Sequence, residues 1–256
     1  MSEQSRKRIR LNPFRRNIIE LMRLGKKLPL VTAERPMNLA ALMEARKICP
    51  IKPSWSVIFA KAFSLVSLRQ PELRRCYVTW PYPHLYEHSC NAAMVIVERE
   101  FEGESFPFTV RIRKPDRSSL CDLHRFLERS RTIPLEEDAN FRFMRRIGSA
   151  PLPIRRLIWN LGYHWSGSKR ARYYGTFGLS SPASAGAGLT TIVSPLTCTI
   201  HYGMFDEKGK IDMRITFDHR AIDGAPIARA LSDLEVTLQT TILAELQQLS
   251  ASRDAA

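Results

Sequence analysis

Two side chains near the C-terminal end could do chemistry together. His219 and Asp223 stand four residues apart in Asp218-His-Arg-Ala-Ile-Asp-Gly224. Imidazole in peptides titrates at about pH 6.5, so it can take a proton from a thiol, hydroxyl or amine near neutrality. A histidine in a polar loop is therefore a candidate general base, and a nearby carboxylate a candidate support. The other histidines offer less. His84-Leu-Tyr-Glu-His88 spaces two of them by four, but the glutamate does not follow the first histidine as in H-E-x-x-H. Pro81 and Pro83 stand beside it, so a helical zinc site is not expected and a loop with two unrelated histidines is. His124, His164 and His201 have no obvious partners and default to structural roles. There is no G-x-x-x-x-G-K-[ST] loop, no G-x-G-x-x-G after a strand and no G-x-S-x-G elbow, which leaves nucleotide, dinucleotide and hydrolase-elbow readings without support.

The loop needs a strand before it and a helix after it. Ile211, Met213, Ile215 and Phe217 alternate with Asp212, Arg214, Thr216 and Asp218, the period of a half-buried strand. His219 continues the apolar parity, so a strand running that far would aim its ring with the hydrophobic side chains. Gly224 permits a turn that other residues resist, and Pro226 suits a first helical position. A final helix follows from Pro226 to about Leu249, with Ile227, Leu231, Leu234, Leu238, Ile242 and Leu246 along one face. Upstream, Asn12 and Pro13 open a helix that Gly25 stops, and residues 28–33 suit a strand. Asn38 caps a helix to Ile48. Ser54 caps another to Gln70, apolar nearly all round and hence deeply buried. Strands are expected over Arg75–Trp80, Ala92–Glu98 and Phe106–Arg113, the last two antiparallel around Glu102-Gly-Glu104. Two helices follow, over Ser119–Arg131 and about Glu136–Arg146. Tyr174–Ser181 reads as a strand, and Leu196–Phe205 pairs with Ile211–Asp218 around Asp206-Glu-Lys-Gly209. Antiparallel strands mixed with packed helices predict an α+β fold, a mixed sheet flanked by helices.

The chain has 256 residues and 44% hydrophobic content, which suits one domain over 1–256 with a sizeable core. Residues 1–10 are expected to form a basic, disordered tail. No apolar run reaches the roughly 18 residues of a membrane span, and no apolar h-region follows the basic N-terminus. Five scattered cysteines without C-x-x-C argue against disulfides and zinc, so the chain is expected in the cytoplasm, or peripheral to a membrane, with no metal. The net charge of +14 is uneven. Residues 6–27 hold nine Lys/Arg against Glu20 alone. From Ala139 to Phe205 there is no acid, while eight Lys/Arg fall between Arg142 and Arg172. An anionic partner is implied: a membrane, nucleic acid or a phosphate-rich cosubstrate such as coenzyme A. Ile154-Arg-Arg-Leu-Ile-Trp-Asn-Leu-Gly-Tyr-His-Trp165 would make a helix with an apolar face and a basic rim. It would either touch a membrane interface or pack on its own domain or a neighbouring subunit, and the packed reading is favoured.

Asp218-His-Arg-Ala-Ile-Asp-Gly224 resembles the His-x-x-x-Asp-Gly signature of coenzyme A-dependent acyltransferases. It is more closely similar to Asp-His-Arg-x-x-Asp-Gly, the version in the catalytic domain of dihydrolipoamide acyltransferases of 2-oxo acid dehydrogenase complexes. Chloramphenicol acetyltransferases share the fold and the shorter signature. The likeness runs collinearly over most of the chain. Arg15-Arg16-Asn-Ile resembles the family's first helix, Asn38–Lys47 the helix after its first strand, and Ser56–Leu73, ending Pro71-Glu-Leu73, its long buried helix. His88–Val97 and Pro107–Leu123 are similar to its next strands and helix, and Gly175-Thr-Phe177 matches its Gly-Thr-Phe strand.

The resemblance implies transfer of an acyl group from a coenzyme A or other carrier thioester to an acceptor, either a small molecule or carrier-bound. It assigns His219 as general base, Ser180 as the hydroxyl that stabilises the oxyanion, and Asp223 as a loop anchor paired with an arginine, Arg15 first and Arg16 next. It also implies a homotrimer in which His219 of one chain faces Ser180 of its neighbour. Departures remain. Ser181-Pro182 stands where the family often has asparagine and Leu-Gly, and the basic segment 142–173 is longer than its family counterpart. No lipoyl or linker segment precedes the catalytic part, so a stand-alone acyltransferase is expected. The rival readings are an inactive scaffold of the same fold, and a basic protein that binds membrane or, less readily, nucleic acid.

Overall fold

A computed structural model of the chain describes residues 10–254. The basic tail expected over residues 1–10 lies outside them, Arg10 apart. Among the described residues the strands are β1 (Leu30–Asn38), β2 (Arg75–Val78), β3 (His84–Glu87), β4 (Ala92–Phe101), β5 (Glu104–Arg113), β6 (Phe177–Leu179), β7 (Cys198–Tyr202) and β8 (Lys210–Asp218). Six form one sheet in the order β1-β8-β7-β6-β4-β5, and β2 pairs with β3 in a separate ribbon. β6 runs parallel to both β4 and β7, while the other pairs are antiparallel. The fold is α+β with a mixed sheet, as expected. β3 was not expected; it opens on His84 just after Pro81 and Pro83, and it extends because β2 offers a partner.

The helices start where their caps direct. α1 (Pro13–Gly25) has Asn12 accepting from the Arg15 amide at 2.7 Å. α2 (Ala40–Ile48) follows Asn38, whose side chain accepts from the Ala40 amide. α3 (Trp55–Arg69) is capped by Ser54 and buried over most of its circumference. Its Phe59 and Phe63 are 0% exposed, each worth about 2 kcal/mol of transfer free energy. α4 (Leu120–Thr132) is capped by Ser119 and α5 (Ala139–Ser149) by Asp138, whose carboxylate accepts from two amides. α6 (Leu152–His164) and α7 (Gly167–Tyr174) fill the basic segment.

The last helix is not continuous. α8 (Gly224–Thr237) and α9 (Leu243–Asp254) are joined by a π turn at Leu238–Ile242. Leu234, Leu238, Ile242 and Leu246 recur every fourth residue, which outruns 3.6 residues per turn. The π turn takes up the excess, and all four stay fully buried. The main core joins α2, α3, α4, α8 and α9 to the sheet, while a small second core of Leu24, Ile147, Trp159 and Tyr163 ties α6 to α1 and α5.

Candidate active site

Each residue of Gly175-Thr-Phe177 has a structural task. Gly175 leaves α7 at φ +82°, and a Cβ there would meet the Ala92 carbonyl at 2.7 Å. Thr176 staples the chain to β4, its hydroxyl accepting from the Ala92 amide at 2.9 Å while its own amide donates to the Ala92 carbonyl. Phe177 is 1% exposed and lies 4.8 Å from the Phe63 ring. Together they seat β6 between β4 and β7, and β6 delivers Ser180 at its end. The Ser180 amide donates to the Ile200 carbonyl, but its half-buried hydroxyl has no partner among the described residues. Ser181 is committed instead: its hydroxyl donates to the Tyr202 carbonyl at 2.7 Å and accepts from the Ala183 amide. Of the two adjacent serines, Ser180 alone keeps a free donor.

The second element is the turn after β8. The Asp218 carboxylate is fully buried and accepts from Arg220 three times, from the amide, from Nε at 2.9 Å and from an Nη at 2.7 Å. That fork holds the guanidinium still further from deprotonation. Arg220 also lies over the Tyr77 ring, 4.7 Å from its centroid. The Asp218 amide donates to Thr197, and the amides of Ala221 and Ile222 return to the Asp218 carbonyl. The His219 amide donates to the Pro29 carbonyl. Every neighbour of His219 is thus tied down, while its ring stays 47% exposed.

His219 does not follow the apolar parity. β8 stops at Asp218, and Thr216, Phe217 and Asp218 are all buried because the sheet is covered on both faces there. The imidazole sits in the turn instead. Its Nδ1 lies 3.4 Å from an Asp223 carboxylate oxygen, longer than an ordinary hydrogen bond, and Asp223 is 81% exposed. Nε2 is the nitrogen left for proton transfer. Gly224 is not the turn former: its φ is negative, no atom crowds a Cβ there, and it is the first residue of α8. Pro226 accordingly stands at the third helical position, not the first.

Arg15 is not brought to Asp223 within the chain. It stands in the first turn of α1, lining a surface hollow with Asn12 and Glu104 at the β4–β5 turn. β5 and β8 lie towards opposite sides of the sheet, so that end of α1 is remote from Asp223. Ser180 and His219 are also apart. Ser180 is level with His201 on β7 and Arg214 on β8, whereas His219 lies five residues beyond Arg214, just past the far end of β8. That is about 16 Å along the strands and about 10 Å across them.

Of the other histidines, His201 and His164 are hydrogen-bonded, whereas the buried Nδ1 of His124 has no hydrogen-bond partner among the described residues. His201 is fully buried, with its two ring nitrogens on the Leu189 carbonyl and the Thr216 hydroxyl, and burial lowers its pKa. His164 meets the Thr79 hydroxyl at 2.7 Å. His124 lies 3.9 Å from Glu128. The sequence reading missed Asp218, whose fork with Arg220 was signalled only by two opposite charges two residues apart. It also missed Arg170, which is 1% exposed, donates to the carbonyls of Tyr77 and Pro195, and lies over Tyr163. Two of the eight basic residues of the segment, Arg155 and Arg170, are therefore interior.

No protein-family model and no curated protein matches the chain. Solved structures do. A probable dihydrolipoamide acetyltransferase from Listeria monocytogenes superposes with a TM-score of 0.67 at 15% identity, over 93% of this chain and 96% of that one. The dihydrolipoamide acetyltransferase of Azotobacter vinelandii gives 0.64 at 15% identity over 94% of each chain, and its structure was studied for the roles of a serine, a histidine and an asparagine in catalysis. A chloramphenicol acetyltransferase gives 0.53 at 14% identity, over 86% of this chain and 94% of that one. The chain has the chloramphenicol acetyltransferase-like fold, in the form taken by the catalytic cores of dihydrolipoamide acyltransferases.

Proposed function

We propose that the protein is an acyltransferase that moves an acyl group from a coenzyme A thioester, or another carrier thioester, to a thiol, amine or hydroxyl acceptor. His219 removes the acceptor proton through Nε2, and the acceptor attacks the thioester carbonyl directly. The carbon–sulfur bond then breaks, and the thiolate leaves with the proton returned from the imidazolium. Ser180 donates to the tetrahedral oxyanion. Asp223 is a positioning residue that faces Nδ1 and favours the tautomer with a basic Nε2. The observation that carries this reading is the pair of unengaged groups: a serine hydroxyl and an imidazole edge left free where all their neighbours are bonded.

The separation of Ser180 from His219 supports an intermolecular site, with His219 of one subunit facing Ser180 of the next in a homotrimer. Two surface hollows within the chain, one beside Arg15 and one beside Lys61 and Glu245, include neither residue. Coenzyme A phosphates would find cations on the basic surface.

Thioester consumption against a panel of dithiol, amine and alcohol acceptors tests the activity. His219→Ala is expected to lower kcat by about 10²–10⁴-fold and Ser180→Ala by about 10²-fold, with folding intact. Mixing the two inactive variants after unfolding together should restore activity, since about a quarter of interfaces then pair an intact His219 with an intact Ser180. Full activity in His219→Ala would sink the base assignment, and no recovery on mixing would sink the shared site.

A further inference from the structure

The outer face of α6 has no role in acyl transfer as described. Ile154, Leu157, Ile158, Leu161 and Trp165 recur at i, i+3, i+4, i+7 and i+11, on one side of the helix, and are 38–57% exposed. The other side is engaged. Arg155, Trp159 and Tyr163 are buried, Arg155 donating to the Ala150 carbonyl and the Trp159 indole to Asn17 of α1. The helix is therefore anchored through its polar and aromatic side and turns its aliphatic side outward, the reverse of the packing expected of an amphipathic helix. The strip continues past the helix. Trp80, between β2 and β3, stacks on Trp165 at 5.1 Å and is itself 54% exposed.

The rim of this strip is cationic. Arg156, Lys169 and Arg172 are exposed, and Lys169 lies 5.7 Å from the Trp165 ring centroid. Arg23 reaches α6 through Asn160. No Asp or Glu occurs from Ala139 to Phe205. Glu20, the carboxylate that meets α6, is 1% exposed and already faces Arg23, Arg155 and Arg156.

One partner chemistry complements all of these features. An anionic bilayer offers acyl chains to the aliphatic strip, its carbonyl and headgroup zone to the two indoles, and lipid phosphates to the cations. A second copy docked on the same face would bring like charge against like. A nucleic acid would answer the cations but leave the strip in water. The 13 residues of α6 span about 20 Å, too short to cross a bilayer, and no helix among the described residues is long and apolar enough to do so. We propose that α6, with Trp80 and Trp165, lies in the plane of an anionic membrane surface and docks the protein there peripherally. This does not depend on the acyl-transfer reading.

Flotation of the full chain with extruded vesicles tests it. The unaltered protein is expected to float with phosphatidylglycerol-containing vesicles and not with pure phosphatidylcholine, and to lose tryptophan emission when the acyl chains are brominated. Leu157→Glu combined with Leu161→Glu should cut partitioning by about tenfold or more. Lys169→Glu combined with Arg172→Glu should do the same and remove its salt dependence. All four side chains are exposed, so circular dichroism and elution volume should not change. The proposal is overturned if the unaltered protein ignores anionic vesicles or if the Leu157/Leu161 variant binds as before. It also fails if that variant changes oligomeric state, which would make the face a subunit interface.

Discussion

The turn at residues 218–224 and the α6–α7 segment are built in opposite senses. In the turn, buried polar groups are fully paired: Asp218 is forked by Arg220, and the amides of His219, Ala221 and Ile222 all find carbonyls. What is left over is one polar ring. In α6–α7 the polar groups are also drawn inward, Arg155 and Arg170 to carbonyls and Trp159 to Asn17. What is left over there is an apolar strip. The function of each region is read from the group its own packing leaves unsatisfied. A half-exposed imidazole on a rigid turn suits proton transfer, because its backbone is fixed while one ring edge stays open. A bare aliphatic face on a pinned helix suits a surface that water does not cover.

Breaking the fork should have the largest effect. Asp218→Ala leaves the half-buried Arg220 without its partner and should lower stability by about 4 kcal/mol, measured by denaturant unfolding. Activity should fall with it, because the turn that holds His219 is lost. The equivalent test in the second region is Glu20→Ala, which strips the buried carboxylate facing Arg23, Arg155 and Arg156. A loss of about 3 kcal/mol is expected, with α6 loosening from α1 before the sheet unfolds, visible as early loss of hydrogen-exchange protection.

Acid sharpens the contrast. His88 is held down to about 4, first by burial and then by the charges of Arg170 and Arg74. Its folded pKa is depressed, so the unfolded chain takes up the proton first as pH falls. The stability it contributes is whole above about pH 6.5 and is lost progressively towards pH 4, with about 2 kcal/mol gone by pH 5. His164 and His201, lowered by burial, shift stability the same way. Thermal melts between pH 7.5 and 5 measure this, and His88→Gln should flatten the dependence. The smallest effect is expected on the bare strip. Leu157→Glu should change stability by no more than about 0.5 kcal/mol, since that side chain is 57% exposed. A larger loss in the isolated protein would mean that another subunit covers the strip.

Much of the fold was legible because its signals are local. Asn12, Ser54 and Ser119 cap helices where their hydroxyl or amide types predict, and Glu102-Gly103 turns the β4–β5 hairpin with both residues at positive φ. The alternation from Ile211 to Phe217 marked β8, and the loop residues after it marked His219. β3, the π turn and the breakdown of parity at His219 were not legible, since each answers to neighbours far away in the chain: the β2 edge, the core that keeps Leu238 and Ile242 buried, and the second covered face of the sheet.

The sequence by itself determined which residues have reactive chemistry and which local elements carry them, because caps, turns and periodicity act within a few residues. Only the tertiary structure decided three further matters: that Ser180 rather than Ser181 is unengaged, that Arg155 and Arg170 are interior, and that Ser180 and His219 lie towards opposite ends of the strands of one sheet. The last follows from β6 running parallel to β7 while β8 runs antiparallel to it. That relation is set by strand order and long-range pairing, which no short-range pattern encodes.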